Sequence, residues 1–300
     1  MPDTLAPSDL AAFVRRAERT LDLLDAWLSP ALTEPDWRAA QAWRYRRRAS
    51  GQRALEPIAR LDPITYEDLL EIDTQKERFA RNLAQFVAGR TANNVLLSGA
   101  RGTGKSSLVK AGLHAHAHQG LRLIEVDKSD LIDLPDLVEL VAARPERFIV
   151  FCDDLSFEEG EPGYKALKSV LDGTVAARGD NVLIVATSNR RHLLPEYHSD
   201  NRSYSRDADG ELHPGEVVEE KISLSERFGL WVSFYPFSQD EYLAIVGQWL
   251  QHLGLSPEAI ELARPEALVW AIERGSRSGR VAGQFARDFA GRQAAAGEGA

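Results

Sequence analysis

The sequence predicts an α/β fold in three layers, with a largely parallel sheet between helices. Three observations predict it. From Val95 to Phe234 short apolar runs alternate with helix-length patterns. A glycine-rich turn follows the first run, and an aspartate pair ends another. After Pro236 the strand pattern stops and helical spacing takes over. Apolar strands joined through helices form parallel sheets buried on both faces, because each crossover lays a helix against the sheet.

Taken in order, "SDLAAFVRRAERTLDLLDAWL" starts with a capping signal at Ser8 and Asp9. Leu10, Phe13, Val14, Ala17, Leu21, Leu24 and Leu28 then recur at helical spacing, which predicts an amphipathic helix. Two prolines in "SPALTEPDW" break it. "RAAQAWRYRRRASGQRALEP" follows, with arginines at 44, 46, 47, 48 and 53. It reads as a solvated helix face or connector, or as a phosphate-binding patch with Trp43 and Tyr45 interleaved. Residues 1–60 are therefore expected to be an N-terminal helical segment. "YEDLLEIDTQKERFARNLAQFVAG" reads as an approach and a helix ending near Gly89. Strands are expected at Val95–Leu97, Leu121–Val126, Phe148–Cys152, Val182–Thr187 and Leu230–Phe234, with helices between them. The polar stretch from Glu196 to Glu220 is expected to be a surface loop. The α/β domain is placed at 61–237, a small helical domain at 238–292 and a frayed tail at 293–300.

Composition narrows the class. At 300 residues and 44% hydrophobic, the chain can bury an ample core in one large or two ordinary domains. A net charge of −9 excludes a molecule built as a whole to wrap polyanions, though a local basic patch is compatible with it. The single cysteine, Cys152, excludes an internal disulfide and fits a reducing compartment. It sits in an apolar strand and reads as a core residue rather than a nucleophile. The N-terminus lacks the basic-then-apolar pattern of a signal peptide, and no apolar run approaches membrane-spanning length. A cytoplasmic protein without membrane contact is expected.

The chemistry starts at "NNVLLSGARGTGKSSLVKAGL", which matches G-x-x-x-x-G-K-[ST] with Gly99, Gly104, Lys105 and Ser106 at the fixed positions. Between strand and helix, the loop Gly99, Ala100, Arg101, Gly102, Thr103, Gly104 forms a nest of backbone N–H groups for an anion. The helix opening at Lys105, Ser106 and Ser107 adds its positive end. Lys105 would reach the outer phosphates of a nucleotide, and the Ser106 hydroxyl would help hold Mg²⁺. "FIVFCDD" supplies the carboxylates. Asp153 leaves its strand at the carboxyl edge of the sheet, where ligands bind in such folds, and is assigned to the metal, largely through water. Asp154 is the candidate for orienting the attacking water, with Glu158 as the substitute.

Asn189 follows the strand "VLIVATSN" at the same edge and can hydrogen-bond that water or the γ-phosphate; alone it would be a turn residue. Arg227 precedes the last strand. It faces a neighbouring subunit, or pairs internally with Glu220 or Glu226. Arg277 and Arg280 open a helix of the small domain, from which one of them can fold over the phosphates. His114 and His118 share a helix face, but no third metal ligand is evident, so they read as a solvated helix end. There is no N-K-x-D guanine reader and no L-S-G-G-Q transporter motif.

The order of "GARGTGKSS", "FIVFCDD", "VATSN", "SERFG" and "SGRVA" resembles the AAA+ ATPase superfamily, over about Tyr66 to Ala290. "LSERFG" is similar to the replication-initiator and helicase-loader branch. "NNVLLSGARGTGKSSLVKA" with "FCDDLSFEEGEPGYKALKSVLDG" and "ATSNRRHLLPE" most resembles a bacterial family of predicted AAA+ ATPases of uncharacterised function. The resemblance implies a phosphate-loop sheet ordered 5-1-4-3-2, a C-terminal helical lid, and ATP with Mg²⁺. It implies that Asp153 is the metal-side acid, Asn189 the polar sensor, Arg227 the arginine finger, and Arg280 or Arg277 the lid sensor. Ile72, in "LLEIDTQKERF", falls where such proteins contact adenine. Two departures stand out. Asp154 occupies a position where most members carry Glu and initiator-like members often carry Asp. "DKSDLIDLPDL" lacks an aromatic-hydrophobic-glycine pore loop. The expected protein is an oligomeric, ATP-hydrolysing switch or motor. The alternative is a nucleotide-dependent adaptor or loader that binds DNA or a protein through residues 1–60 with little hydrolysis.

Overall fold

A computed structural model describes residues 13–21, 32–48, 51–157, 161–173, 180–189, 205–206, 212–213 and 224–297. The strands are β1 (Ala42–Arg47), β2 (Arg53–Pro57), β3 (Val95–Gly99), β4 (Leu121–Val126), β5 (Arg147–Cys152), β6 (Val182–Ser188), β7 (Ser205–Arg206), β8 (Leu212–His213) and β9 (Leu230–Phe234). Seven of them form one sheet in the order β2-β1-β4-β5-β6-β3-β9, while β7 and β8 pair separately. Neighbours among β4, β5, β6, β3 and β9 all run parallel. Numbered among themselves, these five strands take the order 5-1-4-3-2. β7 and β8 fall within the loop expected from Glu196 to Glu220; the rest of that stretch lies outside the described residues.

Strand alternation divides the core. Val95 and Leu97 of β3 face one side, where Phe79 and Leu83 of α2 (Asp73–Val87) and Leu108 and Val109 of α3 (Lys105–His116) pack. Leu96 faces the other side, against Leu137 of α4 (Leu134–Ala142) and Leu167 of α5 (Pro162–Asp172). Every residue of β6 is buried, as a central parallel strand covered on both faces requires.

The N-terminal region departs from expectation. Helix α1 occupies 13–21, and the rest of the expected helix, with Ser8, Leu10, Leu24 and Leu28, lies outside the described residues. Residues 42–47 and 53–57 are strands rather than helix. β1 adds parallel to the edge of β4, and β2 returns antiparallel beside it. The reason is period-two burial: Trp43 and Tyr45 are fully buried while Arg44 and Arg46 stay exposed. Trp43 stacks edge-on to Trp37, which stacks edge-on to Phe148 of β5. Both aromatics are thus core residues, and the expected patch keeps its arginines but loses its stacking rings.

Three helices close the chain: α6 (Gln239–His252), α7 (Pro257–Glu273) and α8 (Gly279–Gly297). Ser238 and Glu241 form a capping box at α6, and Ser256 caps α7 ahead of Pro257. The helices join around Tyr242, Ala267 and Phe285. α8 continues through Gly297, so residues 293–297 are helix rather than the start of a frayed tail.

Candidate functional site

The loop between β3 and α3 is held from beneath. Gly99 has φ +123°, and a Cβ there would lie 2.0 Å from the Phe234 carbonyl oxygen of β9. Only glycine permits that approach. The next amide, Ala100 N–H, donates to the same carbonyl at 3.0 Å. Gly102 and Gly104 also take positive φ, at +71° and +95°, which is the alternation that gathers backbone N–H groups into an anion nest. Lys105 follows, 6% exposed. Its Nζ donates to the carbonyls of Gly99 (2.9 Å) and Ala100 (2.7 Å) and to Asn189 Oδ1 (2.9 Å). Burial pushes its pKa down to about 8, against the opposing pull of Asp153 and Asp154.

The acids meet this loop across the sheet edge. Ser106 Oγ donates to Asp153 Oδ1 at 2.7 Å, and Thr187 Oγ1 donates to the same oxygen. Asp154 sits at φ +51°, an uncommon conformation for a residue with a side chain. Its N–H donates to Thr187 Oγ1 at 2.9 Å, and Asn189 Nδ2 donates to its carboxylate. Asn189 therefore joins Lys105 to Asp154, and Thr187 joins the two aspartates. No motif position in the sequence singles out Thr187; its place near the carboxyl end of buried β6, two residues before Asn189, is the signal that marks it.

These groups line one end of a cavity of about 610 Å³. The other end is apolar: Ile64, Leu69 and Ile72 precede or start α2, and Ile245 and Trp249 come from α6. Ile72 packs 3.5 Å from where a Gly104 Cβ would stand. Arg101, Ser107 and Arg280 also line the cavity. α8 reaches the loop directly. Gly279 N–H donates to the Gly102 carbonyl at 2.8 Å, and a Cβ on Gly102 would lie 2.9 Å from the Ser278 side chain. Arg280 thus belongs to the site, and Arg277 is not among its lining residues. Ile64, Ile245, Trp249 and Ser278 were missed. Ser278 carries a readable sign, since its Oγ accepts from Val281 N–H as a helix cap.

Other expected residues sit elsewhere. Gly99 and Ala100 shape the loop without lining the cavity. Arg227 lies before β9, outside the cavity lining, and its Nε donates to Asp172 at the end of α5. The internal partners anticipated for it were Glu220 and Glu226; an ion pair with Asp172 is observed, and Glu220 lies outside the described residues. Glu158 lies outside the described residues. Cys152 is fully buried, and burial pushes its thiol up to about 12. No cluster of three His, Cys, Asp or Glu side chains suited to a metal occurs among the described residues, and none of the helices described is long and apolar enough to cross a membrane.

A second groove, also about 610 Å³, opens beyond Asp153, which it shares with the first. Arg44, Arg46, Arg47 and Arg48 line it with Glu125, Asp127 and Asp130. Arg44 pairs with Glu125 at 2.9 Å, Arg46 and Arg48 with Glu56, and Arg47 with Asp133 at 3.7 Å.

The family described as "Protein of unknown function (DUF815)" matches residues 38–293. The chain belongs to the DUF815 family. That match takes in both the sheet with its hairpin and the C-terminal helices. No curated protein sequence matches this DUF815 chain. Among solved structures, the ADP-bound AAA domain of FIGL-1 matches at 17% identity and a TM-score of 0.50, over 77% of this chain and 74% of that one. The Holliday junction branch migration motor RuvB of Thermotoga maritima matches at 15% identity and 0.45, over 75% of this chain. The DUF815 chain spans 63% of that RuvB chain. Trip13 in the HORMA:CdnC:Trip13 complex of E. coli MS115-1 gives 14% identity and a TM-score of 0.46, over 74% of this chain and 89% of that one. The fold is that of the AAA+ phosphate-loop domain.

Proposed function

We propose that the chain binds Mg-ATP and hydrolyses it, acting as an oligomeric AAA+ switch or motor. One observation carries the reading: Asn189 accepts from Lys105 and donates to Asp154, while Ser106 donates to Asp153. A single network thus ties a buried cation, a polar sensor and two acids to a glycine nest. The apolar end of the cavity suits an adenine, with Ile72 and Trp249 as its walls. Lys105 and the loop N–H groups hold the outer phosphates, and Arg280 reaches them from α8. Asp154 accepts a hydrogen bond from the attacking water and aligns it, and Asn189 fixes the carboxylate that does so. Ser106 and Asp153 offer the hard oxygen donors that Mg²⁺ takes. When bound, the ion neutralises charge on the β- and γ-phosphate oxygens.

Arg227 stands outside its own cavity, which suits a finger supplied to a neighbour's γ-phosphate. The reading therefore requires a homo-oligomer, and the reducing composition suits the cytoplasm. The adaptor alternative has one observation in its favour, the arginine-lined groove beside Asp153, which offers an anionic partner such as DNA a seat next to the nucleotide.

The deciding measurement is steady-state hydrolysis with parallel calorimetry. Asp154→Asn should keep Mg-ATP affinity and lower turnover by about 10²–10⁴-fold. Turnover within threefold of the parent chain would remove Asp154 from the water-orienting role and leave Glu158 to be tested.

A further inference from the structure

The turn that carries both acids is clamped by three consecutive residues of the neighbouring chain segment, Thr187, Ser188 and Asn189. Asp153, Asp154 and Leu155 leave β5, and Asp154 does so at φ +51°. A residue with a side chain keeps that conformation only where its surroundings over-determine it. Here they do. Asp154 N–H donates to Thr187 Oγ1 at 2.9 Å, and Leu155 N–H donates to the Thr187 carbonyl at 2.7 Å. Ser188 Oγ donates to the Leu155 carbonyl at 2.7 Å, and Asn189 Nδ2 donates to the Asp154 carboxylate.

The two bonds to Thr187 have a geometric meaning. A residue's φ and ψ describe how the rigid peptide planes on either side of it are turned. The plane before Asp154 carries its own N–H, which the Thr187 hydroxyl holds. The plane after it carries Leu155 N–H, which the Thr187 carbonyl holds. One residue therefore fixes both planes, and with them the left-handed turn. Thr187 is itself fixed. It is 2% exposed, and it pairs with Leu97 of β3, the strand that leads into the phosphate loop. Its hydroxyl is engaged on both sides, accepting from Asp154 N–H and donating its one proton to Asp153. The register between β5 and β6 ends at Cys152 and Ala186, so past that point this clamp takes over from the ladder.

We propose that Thr187 is a positioning residue: by setting the Asp154 backbone, it aims that carboxylate at the attacking water. The proposal rests on Asp154 orienting the water, as inferred above. Asn189 holds the tip of the Asp154 side chain, and Thr187 holds its root. Removing the Thr187 hydroxyl leaves the Leu155 and Asn189 bonds in place and frees only the plane before Asp154. The loss therefore falls on the aim of the carboxylate and spares the phosphate loop and Lys105, which hold the nucleotide.

Steady-state kinetics with calorimetry on the full chain tests it. Thr187→Val keeps the shape of the side chain and loses the hydroxyl. It should lower kcat roughly 10²-fold, the effect of misplacing a reacting group by about an ångström, with Mg-ATP affinity close to that of the parent chain. Thr187→Ser keeps the hydroxyl and should recover most of that loss. Thr187→Ala takes the place of the valine variant should that one fold poorly. A residue that acts through another loses its effect once the other is gone. In an Asp154→Asn background, Thr187→Val should therefore slow turnover by less than about threefold. Equal slowing in both backgrounds would overturn the proposal, and so would a Thr187→Val chain that turns over like the parent. Lost Mg-ATP affinity with kcat unchanged would also overturn it, because the hydroxyl would then serve Asp153 alone. Failure of the underlying reading looks different: Asp154→Asn by itself would leave turnover intact, and both inferences would fall together.

Discussion

The two grooves that meet at Asp153 have the same volume and opposite electrical designs. In the phosphate-loop groove the buried cation is Lys105, with carbonyls and one amide oxygen as its hydrogen-bond acceptors. In the hairpin groove four arginines lie half exposed, each facing a carboxylate. Neutral acceptors do not offset the burial of a charge, and the pull of Asp153 and Asp154 only partly does, so burial leaves the lysine's pKa lowered. Exposed pairs are worth about 0–1 kcal/mol each and leave little to gain. Shape alone therefore does not distinguish a ligand site; the unbalanced buried charge does.

The sharpest way to break the comparison is to remove a cation that belongs to neither groove. If Arg227 serves a neighbour's nucleotide, Arg227→Ala should cut hydrolysis by about 10³-fold or more, with affinity of the isolated subunit almost intact. Mixing it with Lys105→Ala should restore part of the activity, because the first keeps an intact site and the second still offers its finger. Specific activity of the parent chain should also rise with protein concentration. Absence of complementation, with activity independent of concentration, would return Arg227 to a structural ion pair within its own chain.

Within the phosphate-loop groove, Lys105→Ala should weaken Mg-ATP at least tenfold, about 1.4 kcal/mol, in a chain that remains folded. Calorimetry showing unchanged affinity would remove the asymmetry on which the comparison rests. A smaller, graded effect follows from pH. Lys105 has its pKa lowered from 10.5 to about 8, so in the ligand-free protein it loses its proton as pH rises through 8. Phosphate binding then requires proton uptake, and affinity should fall above about pH 8 by up to tenfold per unit. The same shift means that the unfolded chain binds the extra proton between 8 and 10.5, so this residue's contribution to stability grows across that window. Lys105→Arg, charged throughout, should flatten the affinity profile; an equal fall in both proteins would place the titration elsewhere.

The smallest effect is expected in the hairpin groove. Arg44→Gln with Arg46→Gln should change Mg-ATP affinity by less than about fivefold, the worth of an exposed pair. If the groove seats DNA, binding must weaken steeply with salt, and the double substitution must reduce that slope. A flat dependence would leave four arginines in mutual balance with their acids.

The legibility of these regions in the sequence follows the range of their interactions. The phosphate loop is written in consecutive residues, because a nest and a helix start are local geometry, and Gly99, Gly104 and Lys105 sit where the pattern places them. Asp153 and Asn189 were readable because strand ends share one edge in a parallel sheet. The hairpin was not read, although "WRYRR" alternates with a strand's period. So short a run of alternation is a weak signal, and what fixes β1 is its pairing with β4, whose Glu125 lies 81 residues from Arg44. The apolar end of the cavity failed for the same reason. Ile245 and Trp249 look like ordinary helix residues until α6 is brought up to the segment that leads into α2, where Gln248 donates to the Glu67 carbonyl.

The meeting of Gly102 and Gly279 has a mechanical consequence. A loop and a helix joined through bare backbone have no side chain between them to act as a cushion. Any displacement of the phosphate loop is handed to α8 without slack, and through α8 to Ile245 and Trp249 at the far end of the cavity. A single methyl on Gly102 would work as a doorstop, wedging Ser278 outward and holding the C-terminal helices ajar whatever the loop contains.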